Sequence, residues 1–451
     1  MAYLPNTETE RAEMLAEIGA QSVDELFREV PRHLLGRRLD LPEPLSEPEL
    51  AAELERLARR NRELARWDCF LGAGIYSRFI PAIVLATIAR PEFYTAYTPY
   101  QAEASQGYLQ TIFEFQSMVA ELYDLDVANA SMYDGATAVA EGALLAVAHT
   151  GRARILAAST LHPETLRVLR TYADGRGAEL DLLPASAQGT TDLAQAEAAL
   201  SASPAAVLAV PQPNFYGQLE PVAELMELAH ARGALGLVAA DPVAAAVVQP
   251  PGAEGADLAA GDGQQLGIPP QLGGPTVGLL ACRQELVRRM PGRLVGLTVD
   301  SQGGRAYTLT LQTREQHIRR ERATSNICTN HALMALAATA YLAKMGSAGL
   351  RQVADISFRR AHRLAQLLSE LPGCRLPLPG EFLWEFVLET PLPGEEVCRR
   401  LAEEGILAGH PLGGNRILVC ATEMSSPGAI GRYRAALLGL VKQARPAEVM
   451  A

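Results

Sequence analysis

The sequence predicts an α/β protein with a large, mostly parallel sheet domain, a smaller C-terminal α/β domain and a helical N-terminal arm. Three observations predict it. The mostly apolar runs "ARILAAST", "AAVLAVPQPN", "ALGLVAADP", "ADLAAGD" and "TVGLLACR" recur between residues 153 and 283. They have strand length and the near-continuous apolar character of strands buried on both faces. Amphipathic stretches such as "LAQAEAALSA" and "VAELMELAHARG" separate most of them, and strands alternating with helices imply parallel pairing through helical crossovers. After "TSNICTNHALMALAATAYLAKMGSAGL" the composition shifts to a long helix over about 350–371, then strand-like "FLWEFVLET" and "NRILVCATE" and a last helix. The domain boundaries that follow are 1–65 for the arm, 66–330 for the large domain and 331–445 for the small one.

Within the arm, Thr7 and Glu10 form a capping box ahead of Met14, Leu15 and Ile18, and "SEPELAAELERLARRNREL" reads as a second, largely charged helix. The stretch "FYTAYTPYQAEASQGYLQTIFEFQ", residues 93–116, concentrates aromatic side chains that make up only 6% of the chain. A helix from about 103 to 123 continues it, with Ile112, Phe115, Val119 and Leu122 spaced to face a core. Two readings of the aromatic segment stand: rings packed beneath a loop, or Tyr94, Tyr97 and Tyr100 lining a cleft with hydroxyls presented, since buried phenols need partners.

Further along, "NASMYDGATAVAEGALLAVAHTG" opens a helix at Asp134, Gly135, Ala136 and Thr137 and closes it near Gly151. Free amides at such an N-terminus suit phosphate, although Asp134 alone is also an ordinary N-cap. Asp241 ends an apolar run in "VAADPVAAA", a place where a carboxylate can face a cofactor's ring nitrogen or simply start an Asp-Pro turn. "GDGQQLG", 261–267, is G-x-G-x-x-x-G with no clear crossover helix after it, which argues against NAD. "LQTREQHIRRERATSNICTN", 311–330, follows a charge run with Thr324, Ser325, Asn326 and Asn330. That mixture reads as a hydrogen-bonded junction between domains or subunits.

Composition excludes several classes. A net charge of −11, from 40 basic and 51 acidic residues, disfavours nucleic acid and anionic membranes as partners. No apolar run reaches membrane-spanning length and "MAYLPNTETERAEML" lacks signal-peptide features, so a cytoplasmic protein is expected. The six cysteines include no C-x-x-C pair and the eight histidines none at ligand spacing, so reduced thiols and no metal are expected, with Cys328 read as a core thiol rather than a catalytic one. Only two of the 40 basic residues are lysines, Lys344 and Lys442.

Four stretches, "EFYTAYTPYQAEASQGYLQTIFEFQ", "NASMYDGATAVAE", "GDGQQLGIPPQLGGP" and "LTLQTREQHIRRERATSNICTN", resemble the glycine decarboxylase family, the P-protein of the glycine cleavage system. Among its members the chain is similar to the alpha-type chain of the two-chain bacterial form. The resemblance implies a fold-type-I pyridoxal-phosphate (PLP) architecture, decarboxylation of glycine with PLP as electron sink, and transfer of the aminomethyl group to the lipoyl group of H-protein. It also implies a beta-type partner chain and an alpha2beta2 heterotetramer. Such enzymes hold PLP on a lysine soon after the strand bearing the ring-nitrogen aspartate. Here 257–274 contains no lysine, and the comparable place is Gln264 or Gln265. PLP is therefore expected on the partner, with Asp134, Gly135, Thr137, Asp241 and Gln264 as vestiges of a degenerate site; the alternative is retained phosphate binding. Because the fold builds active sites at dimer interfaces, Tyr97, Thr98, Tyr100, Gln101 and Glu103 are expected to complete the partner's site, and the chain to be inactive alone. The alternative is a structural or regulatory chain that never touches substrate. One departure from the family is Arg322, where alpha-type chains usually carry lysine; the charge is kept but the fork geometry differs.

Overall fold

Apolar runs too short to be helices and too hydrophobic to face water pair with one another, and the result is a seven-stranded sheet. The chain is described by a computed structural model over residues 6–36, 40–61, 64–271 and 273–444. It divides into two compact units, 1–62 and 63–451.

In the first unit, α1 (Glu8–Glu17) starts at the Thr7–Glu10 capping box and α2 (Glu47–Ala58) at an equivalent Ser46–Glu49 box. No described residue of this unit is buried. The second unit opens with β1 (Asp68–Cys69), α3 (Ala82–Ile88), α4 (Pro91–Tyr94) and α5 (Gln106–Tyr123). Helix α5 buries Leu109, Ile112, Phe115, Val119 and Tyr123, the face that helical spacing indicated; it begins three residues later than expected, because Glu103 lies in a 3-10 turn, Ala102–Ala104.

The central sheet comprises β2 (Val127–Ala128), β3 (Arg154–Ala158), β4 (Glu179–Leu183), β5 (Val207–Gln212), β6 (Leu235–Ala240), β7 (Leu258–Asp262) and β8 (Gly278–Cys282), in the order β2-β8-β7-β6-β5-β3-β4. Strands β3 to β7 are parallel, and β8 runs antiparallel to both β7 and β2. Helices α6 (Gly135–Thr150), α7 (Pro163–Arg176), α8 (Leu193–Ala202) and α9 (Val222–Ala231) precede or link these strands. Every residue of β5 and β8 is buried, as expected for strands covered on both faces. Small residues let the covering helices come close: a Cβ on Gly142 of α6 would stand 3.2 Å from the Leu237 side chain of β6.

A hairpin, β9 (Leu294–Val299) and β10 (Arg305–Thr310), and α10 (Gln316–Arg319) follow. Next comes α11 (Ala332–Ser369), which starts well before the predicted helix and is interrupted at Gly346, φ 58° and ψ −176°. Part of α11 is apolar enough to cross a membrane by length and composition, which the sequence reading missed. Its Met334–Ala338 stretch and Tyr341 are nevertheless buried in the core. The chain ends in β11 (Glu385–Glu389), α12 (Gly394–Glu403), β12 (Ile406–Leu407), β13 (His410–Pro411), β14 (Arg416–Cys420) and α13 (Pro427–Ala444). A three-stranded sheet, β11-β14-β13, forms there, and β12 pairs in parallel with β1.

Candidate functional site

In parallel sheets the backbone diverges at the carboxyl ends of the strands, and ligands collect there. A cleft of about 390 Å3 opens at that edge. Pro211 and Asp241 from the ends of β5 and β6, Asp262 of β7, the first turn of α6, the segment 73–76 and Glu385 of β11 line it.

Three positions of this cleft correspond to the expected vestigial site, and each is bonded to the chain's own side chains. Asp241 accepts hydrogen bonds from the Val243 and Ala244 amides at Oδ1, 2.8 and 3.0 Å, and from Gln265 Nε2 at Oδ2, 2.5 Å. Gln265 in turn accepts from Arg78 Nε and Nη2 at 2.9 and 2.7 Å. The buried Arg78 also donates to Ser357 Oγ and Glu423 Oε2, at 2.7 and 2.8 Å. Burial pushes the Asp241 carboxyl up from its ordinary value, with Arg78 opposing.

At the start of α6, Asp134 is the N-cap, accepting from Thr137 N at 2.8 Å, and Thr137 closes the box by accepting from Asp134 N at 3.2 Å. The amide beside them is taken: Gly135 N donates to Asp262 Oδ2 at 3.0 Å. The same carboxylate accepts from Thr276 Oγ1, 3.0 Å, and from Gln264 N, 2.9 Å. An internal anion thus sits where a helix N-terminus and a hydroxyl would cradle a phosphate. Burial pushes Asp262 up, and these hydrogen bonds pull it back.

Gln264 is buried and does not line the cleft. Its Oε1 accepts from Tyr76 N at 2.9 Å, while Nε2 donates to the carbonyls of Tyr76 and Ile268 at 3.1 and 2.7 Å. Beside it, Glu385 accepts from Tyr76 OH and Ala73 N at 2.6 and 2.7 Å. Burial pushes this carboxyl up to about 7. Lys344 and Lys442 are exposed on α11 and α13, and neither lines the cleft. These residues do not fit PLP: among the described residues no lysine lines the cleft, the helix terminus holds a carboxylate, and Gln265 is bonded to Asp241.

The aromatic loop lies elsewhere. Tyr94, Tyr97 and Tyr100 are 68, 78 and 57% exposed, and none lines this chain's cleft. Gln101 and Glu103 are exposed, Thr98 is half-buried and Pro99 is buried beneath them. Cys328, expected in the core, is exposed; its amide approaches Tyr133 OH at 3.4 Å. Arg322 is exposed beside Glu321 at 3.8 Å. Sequence reasoning missed Arg78, Tyr76, Asp262 and Glu385. Asp262 stood inside "GDGQQLG", weighed only as a dinucleotide motif, and a signal for its role was its place at the end of an apolar strand.

Comparison with known proteins follows the geometry. The family model of the glycine cleavage system P-protein matches residues 1–426. A protein of Moorella thermoacetica named "Probable glycine dehydrogenase (decarboxylating) subunit 1" is 50% identical over 98% of this chain and 100% of its own length. A Chlorobium chlorochromatii protein of the same name is 47% identical over 98% of this chain and 100% of its own. Among solved structures, a glycine decarboxylase (P-protein) in inhibitor-bound form superposes with a TM-score of 0.90 at 47% identity, covering 98% of this chain and 100% of that one. A sphingosine-1-phosphate lyase of Burkholderia pseudomallei has a TM-score of 0.67 at 18% identity, covering 92% of this chain and 94% of that one. At that identity it shows the fold alone.

Proposed function

The chain belongs to the glycine cleavage system P-protein family, and on that premise we propose that it is the cofactor-free chain of a two-chain glycine decarboxylase. On this reading glycine is decarboxylated at PLP held covalently by a beta-type partner, carbon dioxide leaves, and the aminomethyl group passes to the lipoyl group of H-protein. The assembly is an alpha2beta2 heterotetramer, and this chain is inactive alone. One observation carries the reading: the groups that would hold a cofactor are saturated from within, by Gln265 on Asp241 and Asp262 on Gly135.

The exposed loop supports the other half of the proposal. Tyr97, Thr98, Tyr100, Gln101 and Glu103 offer phenolic, hydroxyl, amide and carboxylate groups, most of them turned to solvent. Phenol rings present an apolar body and a polar tip. Placed against a partner's site they would exclude water from an entering lipoyl arm while orienting the amine and carboxylate of glycine. Glycine loses its carboxylate, so these contacts act by positioning rather than by tight ground-state grip.

The test is borohydride reduction of the complex reconstituted with its partner, followed by mapping of the pyridoxyl-lysine peptide. Label on the partner alone is expected; label on Lys344 or Lys442 overturns the reading. In the same complex, Tyr97→Phe should lower glycine turnover about tenfold or more, the scale of lost orientation. If turnover holds and only association weakens, a structural chain that never touches substrate takes its place.

A further inference from the structure

Two features that lie far apart in sequence, the aromatic loop and the charge-rich stretch 311–330, meet at Arg293. Its side chain is buried, 4% exposed. The guanidinium lies 5.6 Å from the centroid of the Tyr100 ring, and Nη2 donates to the Tyr100 hydroxyl at 3.5 Å. On its other side the buried Glu315 brings a carboxylate oxygen to 3.9 Å from Nε, too far for a hydrogen bond. Among the described residues Arg293 Nε has no hydrogen-bond partner. Glu315 also stands 3.7 Å from His317 Nδ1, and the His317 ring meets Tyr100 edge-on at 6.2 Å. The backbone of Arg293 is fixed, its carbonyl accepting from Ala130 N at 2.9 Å.

A buried guanidinium is costly unless its donors are bonded. Among the described residues this one has Glu315 as its counter-charge and one unbonded donor, and it also contacts the Tyr100 ring, where cation and π-face attract. At 3.9 Å the buried pair attracts without a hydrogen bond to lock it, and the guanidinium lies against one exposed ring. We propose that Arg293 is a positioning residue for Tyr100, with Glu315 and His317 as its supports. The proposal rests on the reading that Tyr100 contributes to a partner's active site. By holding the ring in one rotamer before the partner arrives, Arg293 removes the ordering cost from the step in which the shared site forms.

The experiment is a double-mutant cycle in the complex with the partner chain, reading carbon dioxide release from glycine in the presence of lipoylated H-protein. Arg293→Lys keeps the charge beside Glu315 but lacks the planar fork. It should lower kcat about tenfold and cause no further loss in a Tyr100→Ala background, since residues acting through one another are not additive. Should Arg293→Lys fail to assemble, His317→Ala, at a partly exposed side chain, is read the same way: a smaller loss, absent when Tyr100 is alanine. Full additivity, or wild-type turnover in the single variant while Tyr100→Ala is impaired, overturns the positioning role alone. Wild-type turnover in Tyr100→Ala itself overturns the reading beneath it and the positioning role with it.

Discussion

Glu385 shows what a single buried carboxyl does to the pH response. Its pKa rises from 4.5 to about 7, chiefly through burial, although Tyr76 OH and Ala73 N bond to it. Between those values the folded chain binds a proton that the unfolded chain releases. The contribution to stability is therefore complete below about 4.5 and is lost as the pH rises through about 7. The full swing is about 3 kcal/mol. Glu385→Gln, permanently neutral, should match the wild type in thermal melts at about pH 4 and melt higher at about pH 8; an equal gap at both values would show that the carboxyl does not titrate there. At this scale the sequence was legible in part. The absence of lysine in 257–274 and the N-cap at Asp134 could be read directly. That Gln265 would reach Asp241, 24 positions away, and Asp262 would reach Gly135, 127 positions away, could not, because such pairings depend on strand order.

Among the elements, α6 was the most legible, because both of its ends carry local chemistry: the Asp134–Thr137 box at one and left-handed Gly151, φ 69°, at the other. Helix α11 was less so; its kink needs Gly346 in an unusual backbone state that composition does not reveal. The β9–β10 hairpin also escaped, although "LVGLTVDSQGGRAYTLT" alternates around a glycine pair, since it lies outside the strand–helix rhythm of the large domain. The N-terminus of α6 also makes the internal-anion idea testable. Asp262→Ala removes an acceptor shared by Gly135 N, Thr276 Oγ1 and Gln264 N, and should cost about 1–3 kcal/mol of stability. It also frees the helix terminus for an outside anion. Added inorganic phosphate should then raise the melting temperature of the variant and leave the wild type unmoved. A variant indifferent to phosphate would mean that Asp262 does not stand in for an anion.

For the molecule as a whole, the fold class was readable because strands sealed on both faces advertise themselves as apolar runs, and β3, β5, β7 and β8 are nearly all buried. The first unit is different. Its helices, 10 and 12 residues long, bury no described side chain, and helices of that length are marginal in water without tertiary packing. Removing residues 1–62 should therefore leave the cooperative melt of 63–451 unchanged; a markedly lower melting temperature would show that the first unit contributes to that core. The saturated cleft has a consequence for redesign as well. Asp262, Gln264 and Gln265 occupy one short stretch, and each is tied to a different neighbour by an internal bond. Placing a lysine at 264 alone would break the clamp on Tyr76 and still meet an occupied helix terminus and an occupied Asp241. No single substitution in this stretch releases all three, so the bonds act as a ratchet: each holds its group in place while any other is changed.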